Sequence, residues 1–313
     1  MKKLLILLFS ILISFNSYGL FGLFDKTVCV DTDAQVKDGI IYLPNETKPF
    51  TGKNLCKYEN GLNKSKGRVK DGKKNDIWTE WYENGEIKFE RNYNANQIVK
   101  EEHYKDSSLI GLTHYQYNEN GQIEKVEHYK DNQLTGETEY IYFVNGQMGS
   151  EVNYKDGKLD GKLIRWLENG QKWYEINYKD DKRDGKQTYW FENGKIWMEN
   201  NYKDDKPDGK WTRWYEDGQI GSEENYKDGK LEGKKTLWYE NGQIRAESNN
   251  KDGNLDGKAT QWYENGQKYG ETTFKDGNLD GKKTLWYEDG QIKSETTYKD
   301  GECISGDCDL LKN

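Results

Sequence analysis

Apolar and polar residues alternate along this chain in short runs, and the runs recur at a fixed interval. Between Gly266 and Gly290 the order is Gln267-Lys268-Tyr269-Gly270-Glu271-Thr272-Thr273-Phe274, then the connector Lys275-Asp276-Gly277-Asn278-Leu279-Asp280-Gly281, then Lys282-Lys283-Thr284-Leu285-Trp286-Tyr287-Glu288 and Asp289-Gly290. Period-two alternation bounded by Gly and Asp predicts two β-strands and two turns. Equivalent turn glycines stand at Gly146, Gly170, Gly194, Gly218, Gly242, Gly266 and Gly290, each 24 residues after the last. Gly and Asp recur too closely to leave room for a stable helix. One hairpin cannot bury its own apolar face, so each unit relies on its neighbours. The expected fold class is all-β: an elongated single-layer array of antiparallel β-hairpin repeats, about ten units with a 24-residue period.

Asn-Gly and Asp-Gly are the strongest short hairpin signals, because a type I′ turn needs positive φ at both central positions. Tyr239-Glu240-Asn241-Gly242-Gln243-Ile244 predicts such a turn. Pairing across two residues places Tyr287 opposite Ile292, Trp286 opposite Lys293 and Thr284 opposite Glu295. One face then carries Tyr287, Leu285, Ile292, Ser294 and Tyr298, and the other Trp286, Thr284, Lys293 and Glu295. Repetition turns these positions into columns. Trp166, Trp190, Trp214, Trp238, Trp262 and Trp286 form one, with Trp81 at the same offset. Glu175, Glu199, Glu223, Glu247, Glu271 and Glu295 form a second on the same face, preceded by Glu90 and Glu151. The residue expected opposite Trp varies between copies: Lys88, Trp173, Trp197, Gly221, Arg245, Tyr269, Lys293. A Trp ring can stack on a sugar or a partner's apolar group, and it can equally hold a thin sheet together. The Trp and Glu columns are the candidate binding residues, a fixed platform whose variable decoration suits an extended partner.

Taken in order, the chain divides into four. Residues 1–19 carry a basic start, Met1-Lys2-Lys3, an apolar run from Leu4 to Phe15 and small residues Ser17 and Gly19, the pattern of a cleavable signal peptide too short to span a bilayer. Residues 20–61 form an N-terminal segment and an atypical first hairpin, the expected cap of an array. Residues 62–301 hold the repeats, and 302–313 a C-terminal cap and tail. The spacing from Gly85 to Gly121 is 36 residues, half a unit too long. Asn94-Ala95-Asn96-Gln97-Ile98 imitates a repeat turn, which predicts an additional strand there.

Composition sharpens this picture. Mean hydropathy is −1.15, and 33% of residues are charged, which rules out one thick core. Eleven Trp and 23 Tyr supply flat apolar surface in its place and argue against disorder. The formal charge of −8 is poorly suited to nucleic acid. Cys29 and Cys56 flank the first hairpin, and Cys303 and Cys308 come after the last turn. An oxidising compartment would close each local pair as an end staple. Three pairings are possible, and the array's separated ends favour the local ones. Zinc is disfavoured, since the Cys pairs are distant and His103, His114 and His128 lie near neither. The recurring Asp228, Asp252, Asp256, Asp276 and Asp280 fit neither an EF-hand nor a glycine-rich calcium loop and read as turn formers.

The stretch from Lys227 to Ile244, Lys-Asp-Gly-Lys-Leu-Glu-Gly-Lys-Lys-Thr-Leu-Trp-Tyr-Glu-Asn-Gly-Gln-Ile, resembles the bacterial MORN-variant repeat of exported multi-repeat proteins and of the YwqK family of antitoxin-like proteins. The resemblance covers roughly residues 38 to 301. It implies a β-hairpin array with scaffold or protein-binding roles and no catalytic residues. The chain itself offers no Ser-His-Asp set, histidine cluster or phosphate-cradling loop, so no enzymatic activity and no cofactor are expected. The expected function is an exported, non-catalytic scaffold, periplasmic, surface-bound or secreted, with no integral membrane span after signal cleavage. Its partner is expected to be a toxin, envelope or host protein. The alternative is a glycan- or cell-wall-binding module, since other aromatic hairpin arrays bind choline and glucans.

Overall fold

The computed structural model describes residues 25–308. The predicted signal segment, residues 1–19, lies outside them. The chain forms two compact units, Met1–Glu137 and Thr138–Asn313. Both are open sheets of antiparallel hairpins, and the sole helix among the described residues is the single turn Val30–Asp33.

In the first unit, strands Gly52–Lys57, Asn63–Lys70, Lys73–Trp81, Ile87–Asn94, Gln97–Lys105, Ser108–Tyr117 and Ile123–Lys130 pair in chain order. Thr27–Val28 closes the outer edge by pairing in parallel with Lys53 and Asn54. The separate hairpin Gln35–Lys37/Ile40–Tyr42 folds over the sheet, bringing Ile41 into a cluster with Val28, Phe50, Val69, Trp78 and Tyr93. Trp78 fits there because Gly67 has no side chain. A Cβ at that position would lie 2.2 Å from the Trp78 ring. Cys29–Cys56 ties the first segment to the sheet, and Cys303–Cys308 sits at the far end of the second unit, the two local pairs expected. Two disulfides suggest an oxidising environment. No described helix is long and apolar enough to cross a membrane.

In the second unit, antiparallel strands run from Met148–Lys155 to Ile292–Lys299, ending in Glu302–Gly306. The turn at Tyr239–Ile244 is not the type I′ turn expected, which lies instead in the connector. The type I′ turn is the Asp-Gly pair: Asp252 and Gly253 have φ of 51° and 91°, flanked by the pair Lys251–Asn254. At Tyr239–Gln243 only Gly242 is left-handed, with φ 82°, and Gly242 N–H donates to the Tyr239 carbonyl at 3.0 Å. This is a type I turn with a glycine bulge. Asn241 favours it, because its Oδ1 accepts the Gln243 N–H at 2.9 Å.

The longer turn changes the register. Thr284 opposes Glu295 and Leu285 opposes Ser294, as expected, but Trp286 opposes Ile292 and Lys293 is left over in a bulge. One extra residue transfers a side chain to the opposite face. Ile292 therefore joins the Trp face, and Lys293 lies against Tyr287, 5.6 Å from its ring centroid. The predicted seven-residue connector is likewise no single loop. After Asp276-Gly277 the strand Asn278–Trp286 begins at once, with Asp280, Gly281 and Lys282 bulging between the Phe274–Leu279 and Thr272–Lys283 pairs.

The extra half-unit is present as the strand Gln97–Lys105, entered through Ala95 and Asn96 with φ of 48° and 75°. A single added strand inverts the face on which the later pairs lie. Before it, Thr79 pairs with Glu90. Their equivalents 36 residues on, Tyr115 and Val126, pair on the opposite face, the one reached through Phe89, Arg91, Glu101 and Thr113.

Candidate functional site

The Trp, Thr and Glu columns share one face of the second unit, as the alternation requires. Each Trp pairs with an aliphatic or basic residue: Trp166 with Lys172, Trp190 with Ile196, Trp214 with Ile220, Trp238 with Ile244, Trp262 with Lys268 and Trp286 with Ile292. The result is a mixed stripe in which all six rings are half-buried. Lys172 lies over Trp190 and Lys268 over Trp286, each 5.5 Å from the ring centroid. The tryptophans do not stack on one another, because equivalent strands stand two strand spacings apart, about 10 Å.

Every Glu of the second column meets a lysine that was not among the candidate residues. Lys162, Lys186, Lys234 and Lys258 reach Glu175, Glu199, Glu247 and Glu271 at 2.6–2.7 Å, and Lys210 and Lys282 pair with Glu223 and Glu295. The missed signal was the Lys immediately after the second glycine of each connector, itself 24-periodic. Between the carboxylates run Thr188, Thr212, Thr236, Thr260 and Thr284, each paired across both strand interfaces with Glu. Lys258 and Lys268 hold the Glu271 carboxyl below its ordinary range. At Glu175 burial pushes the other way, but Lys162 and Lys172 outweigh it. The face is thus a ladder of ion pairs, with a second lysine on the rungs of Glu175 and Glu271.

The residues that vary between copies occupy the other face. Four of them pack against the aromatic turn residue of their own hairpin, Lys88 on Tyr82, Trp197 on Phe191, Tyr269 on Tyr263 and Lys293 on Tyr287, whereas Trp173, whose turn residue is Leu167, packs on Tyr174. A Cβ on Gly221 would meet the Tyr215 ring at 3.2 Å. The variable decoration expected on the Trp–Glu face is therefore displaced to its reverse by the turn bulge. Trp173 remains 52% exposed, Trp197 42% and Tyr269 42%. The same face carries buried polar pairs, among them Glu224 with Lys235 at 3.0 Å. Burial and the adjacent Glu224 push the Tyr226 hydroxyl up to about 12.

Among the described residues, the recurring aspartates serve turns and ion pairs and form no group with metal-ligand spacing. Asp252 and Asp276 form the left-handed turns, Asp256 accepts the Asp276 N–H at 3.3 Å, and Asp280 pairs with Lys299 at 2.7 Å. Among the described residues, one group has metal-ligand spacing, Cys29, Asp31 and Cys56, and its sulfurs are joined in a disulfide with no thiolate to offer.

Successive hairpins are stitched along the turn edge. The Tyr215, Tyr239 and Tyr263 hydroxyls donate to the Trp238, Trp262 and Trp286 carbonyls at 2.6–3.0 Å. The Asn241 and Asn265 amides donate to the Glu264 and Glu288 carbonyls at 3.2 and 3.3 Å.

No curated protein matches the chain. Among solved structures, the chain resembles one in a crystal structure of TcdB2-TccC3-TEV, with 10% identity and a TM-score of 0.29 over 87% of this chain and 19% of that one. It also resembles one in the Photorhabdus luminescens Tc holotoxin pore, with 14% identity and a TM-score of 0.19 over 83% of this chain and 16% of that one. The chain spans less than a fifth of either. Residues 77–95, 112–131, 159–180, 183–204, 207–228, 231–252, 255–276 and 279–300 match the model described as MORN repeat variant. Eight matched repeats cover more than half of the chain, which belongs to the MORN repeat variant family.

Proposed function

We propose that this protein is a non-catalytic, exported scaffold that binds an extended protein partner, with an antitoxin-like, envelope or host-interaction role. The observation that carries this reading is the placement of the variable residue of each hairpin. It is turned away from the repeated ion-pair ladder, and Trp173, Trp197 and Tyr269 stand exposed there beside the aromatic rings of Tyr174, Phe191 and Tyr263. Trp and Tyr in such positions are the side chains that most often dominate binding energy, because they bring large rigid area at small entropic cost. The half-buried Trp column and its Lys–Glu rungs then serve as the frame. Export is supported by the two disulfides and by the signal-like start of the sequence.

The test is capture of a partner from envelope and culture fractions by the full chain, run beside a glycan array. A Trp173→Ala, Trp197→Ala double variant is expected to lose the partner at least tenfold with an unchanged far-UV spectrum. Trp238→Ala is expected to weaken the fold instead. Retained capture in the double variant would reject the assignment of this face. An array signal lost in the same variant would reassign it to carbohydrate.

A further inference from the structure

On the variable face, three concavities of about 170, 330 and 340 Å³ share lining residues between the strands Gly233–Trp238 and Asn278–Trp286. They form one groove crossing the strands. Its floor is made by small residues, Ala246, Ala259 and Gly270. At the equivalent positions earlier hairpins carry Ser150, Tyr174, Met198 and Ser222 in the column of Ala246 and Gly270, and Leu163, Gln187, Trp211 and Lys235 in that of Ala259. Trp211 packs between Tyr202 and Tyr226, with ring centroids at 5.4 and 4.8 Å. The groove is thus the place where small residues of both columns adjoin, Ala246 and Gly270 beside Ala259, with no side chain of the size of Tyr174, Met198 or Trp211 to close the surface. Leu237, Leu255, Leu285 and Tyr269 wall it.

Arg245 and Lys283 line the groove, and among the described residues neither forms an ion pair, whereas Lys235 is already taken by Glu224. Arg245 and Lys283 stand three strands apart and, since Lys283 is level with Ser248, about three residues apart along the strands, roughly 17 Å in all, the span of about five residues of extended peptide. We propose that this groove binds an extended acidic peptide segment, one carboxylate on Arg245 and another on Lys283, with an apolar side chain between them over Ala246, Ala259 and Gly270. This rests on the reading of the variable face as the partner surface and names the chemistry of what lies there. The net charge of −8 repels an acidic chain at long range, so affinity must come from these contacts.

The experiment is fluorescence anisotropy of the full-length protein with a labelled peptide alternating Glu and Leu, beside equal-length peptides alternating Lys or Ser with Leu. The acidic peptide is expected to bind at least tenfold tighter than the others, and to lose that margin in 0.5 M salt, a concentration well past the screening of exposed pairs at about 0.1 M. Arg245→Glu with Lys283→Glu is expected to abolish the preference. Ala259→Trp, which restores the native filling seen at Trp211, is expected to weaken binding with the charges intact. Equal binding of all three peptides, or a preference surviving charge reversal, would overturn the proposal. The two readings fail separately. Loss of the captured partner in the Trp173, Trp197 variant, with no acidic preference at the groove, rejects the groove and leaves the scaffold function standing.

Discussion

The tyrosine of each turn shows how one atom couples two repeats. Tyr239 donates its hydroxyl to the Trp262 carbonyl at 2.8 Å, whereas Tyr287 is 51% exposed and its hydroxyl meets no such carbonyl among the described residues. A net hydrogen bond of this kind contributes roughly 0.5–1.5 kcal/mol. Tyr239→Phe is therefore expected to destabilise the second unit by about 1 kcal/mol in urea unfolding, and Tyr287→Phe by almost nothing. Equal losses would mean that the ring, not the hydroxyl, does the coupling. Gly67 is a harsher case in the first unit. With a Cβ placed 2.2 Å from the Trp78 ring, Gly67→Ala must displace Trp78 from the cluster that holds Val69 and Tyr93, a loss of about 2 kcal/mol or more by the usual scale of overpacking.

At the scale of strands and turns, the two turn chemistries explain what the sequence revealed and what it concealed. Strand positions, the 24-residue period, the extra strand after Ala95 and the two local disulfides were all legible, because each arises from alternation, Gly and Asp placement or Cys spacing. The faces of Ile292 and Lys293 were not. Asn-Gly and Asp-Gly carry the same preference for left-handed backbone and both occur in the bulged turn, where the Asn241 or Asp289 Oδ1 accepts the N–H two residues on at 2.9 Å, a bond that composition does not display. That single bulge moved the variable column to the other face. The lysine rungs were hidden for a different reason: a Lys beside Gly reads as part of a solvated turn until the register sets it diagonally from Glu, as Lys258, paired with Thr273, stands to Glu271. Two outcomes test this account. Ala95 holds φ 48°, a conformation that costs a residue with a Cβ roughly 1–2 kcal/mol, so Ala95→Gly is expected to stabilise the first unit by up to about 1 kcal/mol in chemical denaturation. The rungs predict an acid limb. Glu271 and Glu175 have folded pKa values lowered from 4.5, so their contribution is present above that value and is lost as pH falls through the folded value. The melting temperature of the second unit is expected to fall below pH 4.5, and a Glu175→Gln, Glu271→Gln variant to show a shallower decline.

For the molecule as a whole, stability is distributed as in a solenoid, where each hairpin depends chiefly on its neighbours. The exception lies in the first unit, where Val28, Ile41, Phe50, Val69, Trp78 and Tyr93 form a local cluster at the capped end. Cys29–Cys56 holds the edge segment against that cluster, closing a loop with a sequence separation of 27, whereas Cys303–Cys308 spans 5. Loop-closure entropy for a chain segment of the first size amounts to about 3 kcal/mol, and less for the second. If coupling passes only between neighbours, a Cys29→Ser, Cys56→Ser variant should lose amide protection in the strands from Gly52–Lys57 through Lys73–Trp81 and keep it in those from Ile220–Lys227 through Ile292–Lys299. A Cys303→Ser, Cys308→Ser variant should expose little beyond Ile292–Lys299, to which Glu302–Gly306 pairs. Hydrogen exchange read strand by strand distinguishes this from a single cooperative body, in which either variant would lower protection everywhere by the same amount. Local loss also bears on binding: a partner lying along the second unit should be retained when the first disulfide is removed.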